Sequence, residues 1–494
     1  MAKKEKNSEN LTIEDMANFC KQKGFVFNSG NIYGGLAGFW DFGPLGVELK
    51  NNIKKHWWNF HVQQREDIVG IDGAIITHPK VWEASGHVEN FVDIAVICKN
   101  CKNKFKVDES ELSSARCDKC NSNDLENKGK FIPMFTTSVG PIESDSLKAY
   151  LRPETAQLIF ANFKNVLDTS RMKLPFGIAQ IGKSFRNEIA PRNFLFRSRE
   201  FEQMEIEYFI DPAKIETCPH KIPNVEVLIY SSEMQLKNKK PVKMKISTAL
   251  ENKTIKLPWH AYWIAVELEW FFNLGANKNN FRIRQHLPDE KSHYATDTWD
   301  LEYNFPFGWK ELQGIADRGC YDLSQHENNS KKDLKYFSEE KKKKISPIVI
   351  SEPSLGVERA MLVFLFDAYR KNKKGETVLR LLPQLSPIKA SIFPIIKKTQ
   401  YEKISQEIFN ELKKEFNVAY DKSGSIGKRY ARNDEIGTPY CITIDDKSPN
   451  KKDVTIRDRD TKKQIRVKIS ELKETLRKLI YQEIEFEKAG KIIN

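Results

Sequence analysis

Residues 176–210 read FGIAQIGKSFRNEIAPRNFLFRSREFEQMEIEYFI, and the alternation within them decides the fold. Pro191 sits between two apolar runs, where it suits a turn and would break a helix interior. The first run reads as a strand ending at Phe185-Arg186-Asn187-Glu188, and residues 196–210 read as the returning strand. Side chains two apart on a strand share a face. Arg186 and Glu188 are therefore expected to point the same way. On the return strand Arg197, Arg199, Phe201, Gln203, Glu205, Glu207 and Phe209 fall on one face; Met204, Ile206, Tyr208 and Ile210 fall on the other. The pattern is a sheet with an apolar back and a working face that carries first arginines, then carboxylates. A guanidinium fork matches phosphate oxygens, and carboxylates match an ammonium group.

Gly177 to Ser184 also fits the phosphate-loop pattern GxxxxGK(S/T). That loop needs a strand before its first glycine and a helix beginning at the Lys-Ser pair. Here the spacer itself reads as strand and Pro191 follows too soon, so a P-loop nucleotidase is set aside.

The chain has 494 residues, enough for two to four domains. Its formal charge of +13 and pI near 9.1 favour a polyanionic partner such as RNA, although a lysine-rich composition alone gives the same sign. No apolar run approaches the ~20 residues of a membrane helix. MAKKEKNSEN lacks the apolar stretch of a signal peptide, and a cytoplasmic protein with no membrane partner is expected. Eight cysteines in a chain this long do not describe a disulfide framework. Four of them form two pairs, Cys98-x-x-Cys101 and Cys117-x-x-Cys120, fifteen residues apart. Tight turns of this kind aim two sulfurs at one ion, so a structural Zn2+ held by four thiolates is expected, with no coordination site left open.

Outward from these landmarks, residues 1–10 read as a disordered tail, and Thr12 with Asp15 as a helix start ahead of Met16, Phe19 and Cys20. Val47, Leu49, Ile53, Trp57 and Phe60 suit an amphipathic helix after the Gly43-Pro44 turn. Residues 212–257 read as a lysine-rich surface insertion, and 258–275, with Trp259, Trp263 and Trp270, as a buried helix. His293 to Asp300 and Trp309 to Arg318 read as strands of one sheet. Residues 326–346 read as a mobile charged loop, and residues near 370–387 as a linker. From Ser386 onward strands alternate with helices, ending in a long helix from Ile469, which describes an α/β sandwich. Ser425–Arg432 and Arg457–Asp460 add basic surface.

Phe185-Arg186-Asn187-Glu188 followed by Phe196-Arg197-Ser198-Arg199-Glu200-Phe201 resembles motif 2 of the class II aminoacyl-tRNA synthetases. Phe201-Glu202-Gln203-Met204-Glu205 and Arg152-Pro153-Glu154-Thr155-Ala156-Gln157 are similar to the glycine-specific members. Glu352-Pro353-Ser354-Leu355-Gly356-Val357-Glu358-Arg359 resembles motif 3, and the segment from Asn31 to Phe60 resembles motif 1, which builds the class II dimer interface. The likeness runs over most of the chain, which is identified as a member of the homodimeric (α2) glycyl-tRNA synthetases. Two departures stand out. Phe131-Ile132-Pro133-Met134-Phe135 replaces an FNLMF-like run, and Lys104-Phe105-Lys106 stands where relatives often carry arginine, whose paired bonds lysine lacks.

The resemblance implies an α+β catalytic domain over residues 11–385, with a mainly antiparallel sheet flanked by helices. A zinc-ribbon-like insertion falls at about 90–130 and the lysine-rich one at about 212–257; an α/β anticodon-binding domain follows over 386–494. It implies activation of glycine with ATP and Mg2+ to glycyl-adenylate, then transfer to the 3′ end of tRNA(Gly). Arg186 and Arg359 carry the catalytic charge stabilisation. ATP is assigned Arg186, Asn187, Glu188 and the run Phe196, Arg197, Ser198, Arg199, Glu200, Phe201. Glu311 and Leu312 extend that set, Glu311 being the Mg2+ or ATP contact, and Gly356, Val357, Glu358 and Arg359 complete it. Glycine is assigned Glu154, the run Phe201, Glu202, Gln203, Met204, Glu205, then Arg318 for its carboxylate, and Glu352, Pro353, Ser354, Leu355 and Gly356. Glu207 is a neighbour able to share the ammonium. Alternatives from other classes are a synthetase-like nucleic-acid-binding accessory protein without catalysis, which the presence of Arg186, Glu188, Arg199 and Arg359 argues against, and a sister class II synthetase.

Overall fold

The computed structural model describes residues 11–90, 93–107, 112, 114–142, 146–291, 295 and 297–493. The expected tail, 1–10, lies outside them, as do His293, Tyr294 and Thr296 of the stretch before Asp297.

A nine-stranded sheet positions the site. Its strands are β1 (Ile68–Ile71), β2 (Phe176–Phe185), β3 (Glu200–Ile210), β4 (Glu226–Tyr230), β5 (Val242–Lys245), β6 (Phe281–Gln285), β7 (Asp297–Phe305), β8 (Gly308–Asp317) and β9 (Ile348–Gly356). They lie in the order β5-β4-β6-β7-β8-β9-β3-β2-β1. Only the β1–β2 and β4–β6 pairs are parallel; the other six neighbours are antiparallel. The helices around it are α1 (Ile13–Lys23), α2 (Pro44–Trp58), α3 (Ala156–Ser170), α4 (Pro258–Asn273), α5 (Tyr321–Ser330) and α6 (Val357–Ala368).

Local sequence explains these elements. Thr12 and Asp15 close a capping box on α1, and Gly24 ends it in the left-handed region at φ 76°. Pro44 opens α2, where its missing N–H costs nothing. The alternation of β3 sorts its faces as the sequence requires. Met204, Ile206 and Tyr208 enter the main core with Trp259, Trp263 and Trp270 of α4 and the apolar side of α6. Phe209 joins Phe160 and Phe163 of α3 and Phe176 in a smaller core on the opposite face. That second face, where α3 covers only part of the sheet, carries the polar residues.

All of Gly177–Ser184 lies inside β2, so the P-loop pattern is strand throughout. Gly182 is required for a different reason. A Cβ there would stand 2.0 Å from Nη2 of the buried Arg152.

Several elements depart from expectation. The return strand begins at Glu200, not at residue 196, because Asn193 and Phe194 take left-handed backbone angles and Phe194–Phe196 turns as a 3-10 helix. The first strand stops at Phe185, so Arg186 and Glu188 belong to the loop. Residues 212–257 are not a surface appendage: β4 and β5 extend the main sheet, and Val227, Ile229, Ile246 and Ala249 are core. Residues 326–346 contain the end of α5 and a hairpin of Tyr336–Ser338 with Lys343–Ile345. The expected linker holds a second hairpin, Tyr369–Lys371 with Thr377–Leu379.

The C-terminal region is a six-stranded sheet of β10 (Ala390–Pro394), β11 (Val418–Tyr420), β12 (Tyr440–Ile444), β13 (Asp453–Asp458), β14 (Gln464–Lys468) and β15 (Lys491–Ile493), in the order β11-β10-β12-β13-β14-β15. The first three are parallel and the rest antiparallel. Helices α7 (Thr399–Leu412), α8 (Ile426–Ile436) and α9 (Leu472–Ile480) accompany them. The expected long final helix is thus only nine residues, and β15 follows it. Buried Arg459 joins the two regions by donating from Nη2 to the Leu381 carbonyl (2.8 Å).

Candidate active site

The working face of β3 presents Phe201, Gln203, Glu205 and Glu207 in sequence. Across β2, Gln180 stands opposite Glu205 and Gly182 opposite Gln203. Across β9, Ser354 stands opposite Glu205 and Gly356 opposite Gln203. Ser184 Oγ donates to Gln203 Oε1 (2.7 Å), and Gln203 Nε2 donates to Ser354 Oγ (3.2 Å), so one hydrogen-bonded row crosses three strands.

The lower half of this face is a buried acidic pocket. Glu154 enters from just before α3, Glu205 and Glu207 from β3, Glu352 from β9 and Asp322 from α5; all are buried. Arg318, at the end of β8, organises them. Its Nε and Nη2 donate to the two oxygens of Asp322 (2.8 and 2.9 Å), and its Nη1 donates to Glu352 Oε1 (2.6 Å). Gln157 Nε2 donates to Glu154 Oε1 (3.1 Å) and Asp322 Oδ1 (2.8 Å). His87 Nε2 reaches Glu154 Oε2 at 3.3 Å, and Thr155 Oγ1 donates to Glu205 Oε2. Burial pushes the Glu154 carboxyl up, but His87, Arg318 and Arg186 outweigh it and hold the group below the usual carboxylate range. Burial and then Glu154 push Glu205 up. Burial also pushes Glu352 well up, against the pull of Arg318.

The upper half is cationic and aromatic. Arg186 donates from Nε to the Pro153 carbonyl (3.0 Å) and lies 5.5 Å from the centre of the Phe201 ring. Arg359, in the first turn of α6, lies 4.6 Å from the centre of Phe196. Its Nη1 meets the Glu311 carbonyl (3.0 Å) and Oε1 (3.1 Å). Beside them His286 Nε2 meets Asp300 Oδ2 at 2.8 Å.

The expected site residues therefore separate into groups. Arg186, Phe196, Phe201, Glu311 and Arg359 converge, and so do Glu154, Gln203, Glu205, Arg318, Glu352 and Ser354. Others point elsewhere; for those on strands, alternation turns every second residue to the back. Met204, Leu355, Leu312 and Val357 are in the main core. Pro353 shares its face of β9 with Leu355. Glu202 pairs with Lys50 and Lys54 of α2, Glu358 pairs with Lys50, and Glu200 pairs with Lys183. Gly356 stands at the site, where a Cβ would make only ordinary contacts with the Arg359 side chain. Arg199 is spent on the loop itself, donating to the Glu188 and Ala37 carbonyls (both 2.9 Å). Asn187 is tied by its backbone N–H to the Pro133 carbonyl (2.9 Å), Arg197 lines a cleft beside Gly38 and Pro191, and Ser198 is buried with Oγ unpartnered. Sequence reading missed His87, Asp322, His326 and the His286–Asp300 pair. Asp322 and His326 share α5 at i, i+4, where His326 Nε2 meets Gln157 Oε1 at 2.9 Å, but nothing in the sequence ties that helix to the site, and His87, His286 and Asp300 come from separate elements.

The four cysteines also converge. Cys98 and Cys120 sulfurs are 3.5 Å apart, as are those of Cys101 and Cys117, and all four lie within 4.8 Å of one another. Thiolates around tetrahedral zinc at about 2.3 Å stand roughly 3.8 Å apart, so the donor set fits that ion. The two knuckles repeat one geometry. Lys102 N–H returns to the Cys98 carbonyl (2.9 Å) and Asn121 N–H to the Cys117 carbonyl (2.8 Å), both residues at φ 59°. The ribbon they close is a three-stranded sheet of Asp93–Cys98, Lys104–Val107 and Leu125–Phe131. It touches the loop between β2 and β3 through Arg192 Nη1 and Asp118 Oδ2 (2.7 Å).

Two arginines with aromatic partners beside a buried acidic cluster, on a mainly antiparallel sheet, agree with the core of a class II tRNA synthetase. A family model of that description, for the G, H, P, S and T enzymes, matches residues 138–367, and an anticodon binding domain model matches 389–479. Glycine--tRNA ligases resemble the chain over nearly its whole length. That of Geobacillus thermodenitrificans is 45% identical, covering 95% of this chain and 98% of its own. That of Borrelia hermsii is 43% identical, covering 94% and 96%, and that of Thermobifida fusca 43%, covering 94% and 97%. The chain belongs to the glycine--tRNA ligase family.

Proposed function

We propose that the two halves of the β3 face divide the work of a glycine–tRNA ligase, the upper half holding ATP and the lower half holding glycine. The observation that supports this is the abrupt change along one strand from arginine-flanked Phe201 to buried Glu205. The glycine carboxylate attacks the α-phosphorus, so no protein nucleophile is required, and the residues contribute positioning and charge stabilisation. Arg186 neutralises the α-phosphate as charge builds, Arg359 holds the departing pyrophosphate, and Phe201 and Phe196 supply aromatic faces. Magnesium would supply charge neutralisation to the phosphates, and Glu311 is the carboxylate that would hold it. Glu154, Glu205, Glu352 and Ser354 meet the ammonium. Arg318, with its nitrogens committed to Asp322 and Glu352, is assigned as the residue that positions those carboxylates and not as a direct ligand of the glycine carboxylate. The adenylate then passes its glycyl group to the 3′ end of tRNA(Gly), bound in part by the C-terminal α/β domain.

The same reading includes zinc in the four-cysteine ribbon as a structural ion, a cytoplasmic location, catalytic and anticodon-binding domains meeting near residue 386, and a homodimer. The dimer is supported by Ile32, Tyr33 and Leu36, which are 86%, 90% and 58% exposed in the motif 1 region. Among the described residues no helix is long and apolar enough to cross a membrane. The test is ATP–pyrophosphate exchange against all twenty amino acids. Exchange that depends on glycine, followed by charging of tRNA(Gly), is expected; equal exchange with alanine or serine overturns the assignment of the pocket.

A further inference from the structure

Glu207 follows Glu205 by one strand repeat and shares its face, but its surroundings differ. The register pairs Glu205 with Ser354 and Tyr208 with Ser351, which sets Glu207 opposite Glu352; on the other side it faces Ile178 of β2. Oxygens of Glu205, Glu207 and Glu352 lie within 4.8 Å of one another, and all three residues are buried. Three ionised carboxylates at that spacing, out of water, repel strongly, and at least one must hold a proton.

The hydrogen bonds indicate which. Glu352 receives Arg318 Nη1 at 2.6 Å. Glu205 receives the Thr155 hydroxyl. Glu207 is 0% exposed, and neither of its oxygens has a hydrogen-bond partner. A buried carboxylate with no hydrogen-bond donor is the costliest of the three to ionise. The charged groups facing it are Glu205 on its own strand, Glu352 on β9, Arg318 after β8 and Asp322 on α5, three of the four negative. We propose that Glu207 is a positioning residue that acts as a neutral carboxylic acid, donating its O–H to Glu352 and so setting how many negative charges face the glycine ammonium. Burial and then Glu352 push its carboxyl well above the ordinary range, in keeping with that geometry. Glu352 is then fixed from two sides, by Arg318 and by Glu207, and Glu205 is left as the ionised partner of the ammonium. The inference rests on the glycine-binding role given above.

The test compares Glu207→Gln, Glu207→Leu and Glu205→Gln in glycine-dependent pyrophosphate exchange, with KM for glycine and for ATP measured separately. A glutamine keeps the shape and the donor without the charge. Glu207→Leu is expected to raise glycine KM at least ~10-fold with ATP KM preserved, and Glu207→Gln to recover most of that loss, to within about threefold of wild type. Infrared spectra at neutral pH are expected to contain a protonated-carboxyl band that Glu207→Gln removes. The proposal is overturned if Glu207→Gln loses glycine affinity as severely as Glu205→Gln, if Glu207→Leu behaves as wild type, or if Glu207→Gln leaves the infrared carboxyl region unchanged. The infrared result does not depend on the substrate, so a wild-type protein without glycine-dependent exchange removes the functional reading alone.

Discussion

Arg359 touches four things at once: the Phe196 ring, the Phe196 carbonyl, and the carbonyl and carboxylate of Glu311. A lysine keeps the charge but loses the planar fork, the ring contact and the paired bonds. Arg359→Lys is therefore expected to lower kcat/KM for ATP by about 10- to 100-fold in pyrophosphate exchange, leaving glycine KM within a few-fold. Asp300 offers a pH test in the same half of the site. Burial raises its carboxyl to about 6, with His286 opposing and Glu311 adding to the shift. Its folded value lies above its unfolded one, so the native state binds the extra proton between about pH 4 and 6. The stabilisation from that proton is complete below about pH 4 and is lost as pH rises through 6. Asp300→Asn, which does not titrate, should gain thermal stability relative to wild type as pH is raised from 4 to 7, read as the difference in melting temperature at each pH. A constant difference would remove the assignment.

Single strands and turns account for what the sequence made legible. Period-two alternation placed Glu205 with Gln203 and Met204 with Ile206, because each face of β3 meets a different core. It places the residues on the strand but not the loop: Arg197 and Arg199 follow the strand rhythm by spacing, whereas the turn set by two left-handed residues delays the start of the strand by four positions, to Glu200. Whole motif runs were also too generous. Glu202, Leu355 and Glu358 resemble family positions, yet their side chains serve packing or pair with lysines on α2. The Gly182-Lys183-Ser184 triplet gives a clean contrast at this scale. Gly182→Ala drives a Cβ into buried Arg152 and should cost ~2–4 kcal/mol in denaturant unfolding, while Lys183→Ala breaks only an exposed pair and should change stability by less than ~0.5 kcal/mol without affecting ATP KM. The cysteine spacing was read from turns alone, and the two knuckles superpose in their hydrogen bonding. Cys117→Ser should abolish the one zinc per chain expected by metal analysis, and loss of the metal from wild type by chelation should raise protease sensitivity within the ribbon while the main sheet stays intact.

For the molecule as a whole, the sequence supplied the order of regions but not their joining. The lysine-rich composition of residues 212–257 suggests a surface insertion, and only the sheet reveals that Val227 and Ile229 complete the edge of the core, since composition does not report which strand a segment will pair with. Arg318 and Glu352 are far apart in sequence, so their bond, too, belongs to topology. Dimerisation is the prediction at this scale. Ile32→Asp combined with Tyr33→Asp should convert a dimer to a monomer in sedimentation velocity, with the melting transition of the C-terminal domain little changed.

The position of β9 has a consequence for biosynthesis. It lies between β8 and β3, yet it is the last of the nine strands to be made. Until residue 356 has left the ribosome, the emerging polypeptide holds two separate half-sheets, one ending in an uncovered β3 and the other in an uncovered β8. Both exposed edges await the same segment, and a translation pause before it would leave them open to wrong partners while no amino acid could yet be bound.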